Sequence, residues 1–240
     1  MAHDKLKQEV CRANKALVEA GLVVLTWGNV SGVDRASGVM AIKPSGVGYD
    51  DLIPKDIPLL SIKTGEIIEA GLQPSTDTPT HLLLYQEFES IGGVVHIHST
   101  YATAWAQAER EIPCLGTTHA DHFSGSVPLT RPLRPAEIQD DYECNTGRVI
   151  VERFAELGLN AADTPAVLVR HHGPFIWGEN PQSAIENAIA LEEVARMTAV
   201  TMQINSQALP CPEALLEKHF LRKHGSNAYY GQRSGGASSS

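Results

Sequence analysis

Cysteine is scarce and scattered: Cys11, Cys114, Cys144 and Cys211 form no Cys-x-x-Cys pair in 240 residues. Neither a disulfide framework nor a thiolate zinc site is expected. Positive charge is also short, with 19 Lys and Arg against 28 Asp and Glu and a formal net charge of -9. That balance argues against wholesale binding to nucleic acid or an anionic membrane, so any anion must be captured by a local site. No apolar run approaches a membrane span. The N-terminus carries Asp4, Lys5, Lys7 and Glu9 and has no signal core, which predicts a soluble, cytoplasmic protein. There is neither a G-x-G-x-x-G nor a Walker loop, which excludes the familiar nucleotide-binding turns. No Pro/Gly/Ser-rich linker interrupts the chain before its end. With 42% hydrophobic residues, positions 1–232 are expected to form one domain, and 233–240 a disordered tail or expression remnant.

What is present reads as helices around a sheet. Leu6, Val10, Ala13 and Leu17 recur at helical spacing from about Lys5 to Ala20, and Gly21 stops the helix. Leu22 to Thr26 predicts a short strand, Val39 to Ile42 another, and Ile57 to Glu69 a hairpin turning at Thr64-Gly65. Trp27 is expected in the core. A second helix is predicted from Pro79 to about Phe88 with Thr78 as N-cap. Further helices are expected over Tyr101 to Ala108, over Pro135 to Leu157 with a break near Asn145-Thr146-Gly147, over Pro181 to Ile204, and over Pro212 to His224. Pro128 to Leu133 and Ala166 to His172 are predicted strands, with a Gly-Pro turn leading on to Phe175. Connections too short for parallel crossovers give the sheet antiparallel character. The expected fold is a three-layer α/β/α domain around a mixed, largely antiparallel sheet.

The run Gly92-Gly93-Val94-Val95-His96-Ile97-His98-Ser99 carries the chemistry. In a strand, alternate side chains share a face, so His96 and His98 project together with Cα atoms about 7 Å apart. Two imidazoles so held can converge on a metal, although a half-exposed strand face accounts for them equally well. His171 and His172 close another apolar strand; His172 is the better third ligand because Gly173 leaves room beside it. Asp77 is a candidate fourth, freed from capping if Thr78 takes that role. Three imidazoles and a carboxylate suit Zn²⁺ or another borderline divalent ion better than Mg²⁺ or Ca²⁺. Three short turns, Gly28-Asn29, Ser45-Gly46 and Ser75-Thr76, offer backbone N-H groups beside small polar side chains, with Lys43 adding charge to the second. Only their convergence would make a phosphate clamp.

Six strings then form a pattern. Leu25-Thr26-Trp27-Gly28-Asn29-Val30-Ser31, Ile42-Lys43-Pro44-Ser45-Gly46-Val47, Asp77-Thr78-Pro79-Thr80-His81, Gly93-Val94-Val95-His96-Ile97-His98-Ser99, Gly116-Thr117-Thr118-His119-Ala120-Asp121 and His172-Gly173-Pro174-Phe175 resemble the class II sugar-phosphate aldolase/epimerase family. The resemblance covers nearly the whole chain, to Ala228-Tyr229-Tyr230-Gly231-Gln232. It implies Zn²⁺, or Mn²⁺, on Asp77, His96, His98 and His172. It implies a sugar phosphate among Gly28, Asn29, Lys43, Ser45, Gly46, Ser75 and Thr76. Asp121 and Tyr230 would be acid/base groups, assisted by Thr117, Glu143 and His219. A homotetramer with sites between subunits is also implied, with Tyr230 and His219 supplied by a neighbouring chain. Local departures are Thr76 for a common serine, His122 where an aromatic is usual, and Arg170-His171 before His172. His81 and His119 are read as structural.

The activity implied is 4-epimerisation of L-ribulose 5-phosphate to D-xylulose 5-phosphate, a step shared by arabinose and L-ascorbate breakdown. The C4 hydrogen of such a ketose is β to the carbonyl and too weakly acidic for simple removal. Retro-aldol cleavage of C3-C4, with a metal holding the enediolate through the C2 and C3 oxygens, is the easier route. The aldehyde then turns and is attacked on its other face, which calls for two proton-transfer groups on opposite sides. Alternatives are an aldolase that releases its aldehyde, as on L-fuculose 1-phosphate, and a non-catalytic zinc-binding module. Aldolase relatives place a glutamate where this chain has Asp77, and a bare zinc module leaves Lys43 and Asp121 without purpose.

Overall fold

Helix α1, Asp4–Glu19, forms where the stripe predicts it, with Leu6, Val10, Ala13 and Leu17 buried. The computed structural model describes residues 3–224 and Ala228; Tyr230 and the tail 233–240 lie outside the described residues. After α1 the expected strand at Leu22 to Thr26 is absent. That segment turns instead, Leu25 has a positive φ of 55°, and Val24 and Leu25 are 60% and 74% exposed. Its backbone has no ladder partner, because β1, Asn29–Asp34, begins only where Asn14 of α1 grips Val30. Asn14 Oδ1 accepts from the Val30 N-H at 2.8 Å and its Nδ2 donates to the Val30 carbonyl at 3.1 Å.

Strands β2 (Val39–Ile42), β3 (Leu59–Ser61), β4 (Ile67–Glu69), β5 (Gly93–His96), β6 (Ala166–Val169) and β7 (Gly173–Gly178) complete a seven-stranded sheet of order β4-β3-β2-β1-β5-β7-β6. The expected antiparallel character goes further than predicted, since every strand pair among the described residues is antiparallel. Pro128 to Leu133 is not a strand. It makes one isolated parallel bridge, Leu129 to Leu168, because Pro128 and Pro132 can donate nothing to a ladder. Ala166 to His172 stops at Val169, and the turn falls at Arg170 to His172; Gly173 and Pro174 already belong to β7.

Alternation along the central strands divides the core. Val95, Leu168 and Ile176 face Leu17 of α1, Trp105 of α3 (Thr100–Gln107) and Leu191 of α7 (Pro181–Ile204). Val94, Val167, Phe175 and Trp177 face Leu84 of α2 (Thr78–Glu87) and Ile150 and Phe154 of α6 (Tyr142–Leu157). The result is the three-layer arrangement of helices, sheet and helices. Helix α6 is preceded by α4 (Thr117–Ala120) and a short α5 (Pro135–Gln139), and the break falls at Asp140-Asp141 rather than at Asn145 to Gly147. The helix continues through Asn145, whose Nδ2 donates to the Glu137 and Asp140 carbonyls and ties the two pieces together. Helix α7 starts as expected, with reciprocal Asn180 and Ser183 bonds capping it. Helix α8 spans Glu213–His224. All four cysteines are free thiols, although Cys114 and Cys211 approach to 3.5 Å. Among the described residues no helix is long and apolar enough to cross a membrane.

Candidate functional site

His96 ends β5 in the interior of the sheet, its backbone opposite Asn29 of β1 on one side and Phe175 of β7 on the other. His98, two residues on, shares its face, with ring centroids 4.9 Å apart. His172 enters from the turn before β7, 4.7 Å from His96 and 5.1 Å from His98. One ring nitrogen from each lies within 4.8 Å of the others. The approach depends on Gly173, where a Cβ would stand 2.8 Å from the Ile97 carbonyl oxygen.

Local bonds fix the rings. His96 stacks on Phe175 at 4.1 Å, and because a carbonyl only accepts, its Nδ1 carries the proton donated to Pro174 O at 3.0 Å. Nε2 therefore holds the free lone pair. His172 Nδ1 lies 3.3 Å from the Tyr142 hydroxyl. Burial, followed by repulsion from His172 and His98, holds His96 well below the ordinary histidine pKa. Burial and the charge of His98 push His172 down to about 4 against the pull of Asp77, and burial lowers His98 as well. All three rings stay neutral at pH 7, the form a metal requires. Three clustered neutral imidazoles, with outward nitrogens engaged by a carbonyl and a phenol, fit a borderline divalent ion.

Gly28, Asn29, Lys43, Ser45, Gly46, Ser75, Thr76 and Asp77 line one cleft of about 710 Å³ with the three histidines. The turns that the sequence left separate thus converge. Ser75 N-H donates to Lys43 O at 3.1 Å and Ser45 N-H to Gln73 O at 2.8 Å, which pins two of them together. Gly28 has φ of +106°, and a Cβ there would meet the His96 carbonyl oxygen at 2.8 Å, so only glycine lets this turn reach the strand end. Lys43 is 2% exposed; its ammonium lies 4.8 Å from the centre of the Tyr49 ring, and burial lowers its pKa. Tyr49 in turn donates to Gly28 O at 2.8 Å.

Asp77, rather than Thr78, is the N-cap residue of α2, yet its side chain makes no capping bond. Its Oδ2 accepts from Asn29 Nδ2 at 2.6 Å. It faces the cleft but does not join the tight group of three imidazoles. Sequence reasoning also missed some of the wall. Trp27, expected in the core, is 54% exposed and lines the cleft, as do Thr26, Thr103 and Gln107. The i, i+4 spacing of the last two, on the helix that follows His98, was the available signal. Tyr142 was missed as well. His81 and His119 are buried; His81 Nδ1 pairs with Ser31 Oγ and His119 Nε2 with the Gly125 carbonyl, in keeping with structural roles.

Asp121 and His219 do not line this cleft. Asp121 follows α4 and accepts from Arg222 of α8 at 2.9 and 2.6 Å, with His219 Nδ1 at 3.1 Å. Burial pushes its carboxyl up, but the bonds from Arg222 and His219 outweigh that and hold it below the ordinary carboxylate range. Asp121 and His219 thus pair within one chain, where α8 packs on α4. Thr117 lines a separate hollow with His119 and Val194. Glu143 lies in the first turn of α6, where its carbonyl accepts from Thr80 Oγ1.

This fold and cleft define a class. Residues 8–199 match the model of the Class II Aldolase and Adducin N-terminal domain family, and the chain belongs to that family. Curated relatives include the L-ribulose-5-phosphate 4-epimerases UlaF of Salmonella paratyphi C and Salmonella choleraesuis, each 51% identical over 229 residues, covering 95% of this chain and 99% of theirs. Among solved structures, an L-fuculose 1-phosphate aldolase matches with a TM-score of 0.76 and 26% identity, covering 90% of this chain and 94% of its own. The L-fuculose-1-phosphate aldolase of Thermus thermophilus shares the fold at a TM-score of 0.65 and 21% identity, over 84% of this chain and 97% of its own.

Proposed function

We propose that this protein is a metal-dependent L-ribulose-5-phosphate 4-epimerase, cytoplasmic and folded as one domain over residues 1–232. The observation that carries the reading is three clustered imidazoles and three polar turns lining one cleft. The 51% identity to epimerases over almost their full length supports it. Asp77, His96, His98 and His172 would hold Zn²⁺ or another divalent ion, Asp77 being the residue that Asn29 Nδ2 now engages. When bound, a divalent ion supplies the positive charge that stabilises oxygen anions developing on C2 and C3.

The rest of the work falls to the chain. Asn29, Ser45, Ser75 and Thr76, with the backbone of Gly28 and Gly46 and the ammonium of Lys43, hold the phosphate. The two-carbon aldehyde phosphate therefore stays bound after C3-C4 cleavage and turns in place. Asp121 and Tyr230 exchange the C4 hydroxyl proton from opposite faces, one removing it and the other returning it; Thr117, Glu143 and His219 assist. Because Asp121 and His219 stand apart from their own cleft, they act as a unit in a neighbour's cleft within a homotetramer. Arg222 keeps Asp121 ionised and oriented.

A second reading, a sugar-phosphate aldolase, is favoured by the 26% identity to an L-fuculose 1-phosphate aldolase. Incubation with L-ribulose 5-phosphate separates the two. The epimerase yields D-xylulose 5-phosphate with few free fragments, and fragments alone would overturn the proposal. A chelator is expected to stop turnover while circular dichroism stays native; unfolding instead would mark a structural ion.

A further inference from the structure

Two polar side chains on the cleft wall have no part in the arrangement so far. Thr103 and Gln107 lie four residues apart on α3, hence on one face, and both line the cleft. Thr103 is 9% exposed, and its Oγ1 has no hydrogen-bond partner. Other helical threonines resolve this locally: Thr146 and Thr201 donate to the carbonyls of Tyr142 and Met197, four residues back. Thr103 does not. Its Oγ1 lies 3.5 Å from the point a Cβ on Gly173 would occupy, and His98 Nδ1 lies 3.6 Å from the same point, so the free hydroxyl borders the imidazole cluster. A buried hydroxyl without a partner is costly unless an occupant of the cleft supplies one.

The epimerase reading, on which this inference rests, leaves one substrate oxygen unclaimed. In a 2-ketopentose 5-phosphate the turns would take the phosphate on C5, a divalent ion would stabilise charge on the C2 and C3 oxygens, and the acid/base groups would take the C4 hydroxyl. The C1 hydroxyl remains. We propose that Thr103 Oγ1 and the Gln107 carboxamide bind the C1 hydroxyl of the ketose and make the enzyme selective for a C1 hydroxymethyl group. A hydroxyl both donates and accepts, and these two side chains offer both functions. A site built on such groups rejects an analogue lacking the hydroxyl, because its own polar atoms are then left unpaired.

The test compares L-ribulose 5-phosphate with its 1-deoxy analogue in the metal-loaded wild type, Thr103→Val and Gln107→Leu. Valine keeps the shape of threonine and removes only the hydroxyl. Thr103→Val should lower kcat/KM for the full ketose about 10- to 100-fold, mostly through KM, and leave the value for the 1-deoxy analogue within about 2-fold. Gln107→Leu should act in the same direction. Calorimetric binding of the two ketoses should show the same loss of preference, and metal content should not change. An equal loss on both ketoses, or unaltered preference in both variants, overturns the assignment. So does loss of metal from Thr103→Val, which would make Thr103 a support for His98. A wild type that turns over and binds neither ketose overturns the epimerase reading itself, whereas an active wild type with insensitive variants overturns this inference alone.

Discussion

Two regions of the molecule carry candidate chemistry, and they are built in opposite ways. The imidazole cleft is assembled at strand ends, where pairing with Asn29 and Phe175 fixes His96 through the backbone ladder. The Asp121 cluster is assembled by side chains from α4 and α8, across 98 to 101 residues of sequence. The first gathers three imidazoles and three polar turns around one cleft; the second holds a carboxylate gripped by an arginine and a histidine, outside that cleft. The difference teaches that the cleft of one chain gathers its candidate metal and phosphate groups without Asp121, which on the proposed reading serves a neighbouring copy.

The sharpest way to break that division is to disable each region alone. His96→Asn with His98→Asn should abolish metal retention and turnover together, read by atomic absorption and product assay; full occupancy in that variant would remove the ligand assignment. Asp121→Asn should lower kcat about 10²- to 10⁴-fold and leave bound metal unchanged. Mixed oligomers of Asp121→Asn with the histidine variant should regain activity, since some clefts then meet an intact carboxylate. No recovery would return both regions to one chain's site. Lys43→Met should cost about 10- to 100-fold in kcat/KM, because a buried charge to phosphate is lost. Tyr230→Phe should spare C3-C4 cleavage relative to epimerisation, and equal loss of both would sink the two-face assignment.

The smallest effect is one of pH. The folded Asp121 carboxyl lies below its ordinary value of 3.8, so its bond to Arg222 stabilises the fold above that value. The contribution fades as pH falls through the depressed folded pKa. The thermal midpoints of wild type and Asp121→Asn should therefore differ at pH 7 and converge once the pH falls below the depressed folded value; a constant gap would mean that the carboxylate is not the stabilising species.

Much of this was legible in the chain. The His-x-His strand, the three turns and the long helix at Pro181 carry their geometry in local spacing, so they fall where expected. The misplacements share a cause. Leu22 to Thr26 looks like a strand by composition, yet no neighbour offers it a ladder, and Trp27 faces the cleft instead of the core. The pairing of Asp121 with Arg222 leaves no trace in spacing because it depends on how α8 docks. Nor could spacing show that Asp77 is engaged by Asn29.

The row Asn29, His96, Phe175, Val167 crosses four strands. Because neighbouring residues on a strand face opposite ways, deleting Gly93, Val94 or Val95 and drawing the following residues back by one would turn the His96 imidazole toward α7 and bring Ile97 into its place. Length changes are therefore accommodated in the loops on either side of this strand and not within it.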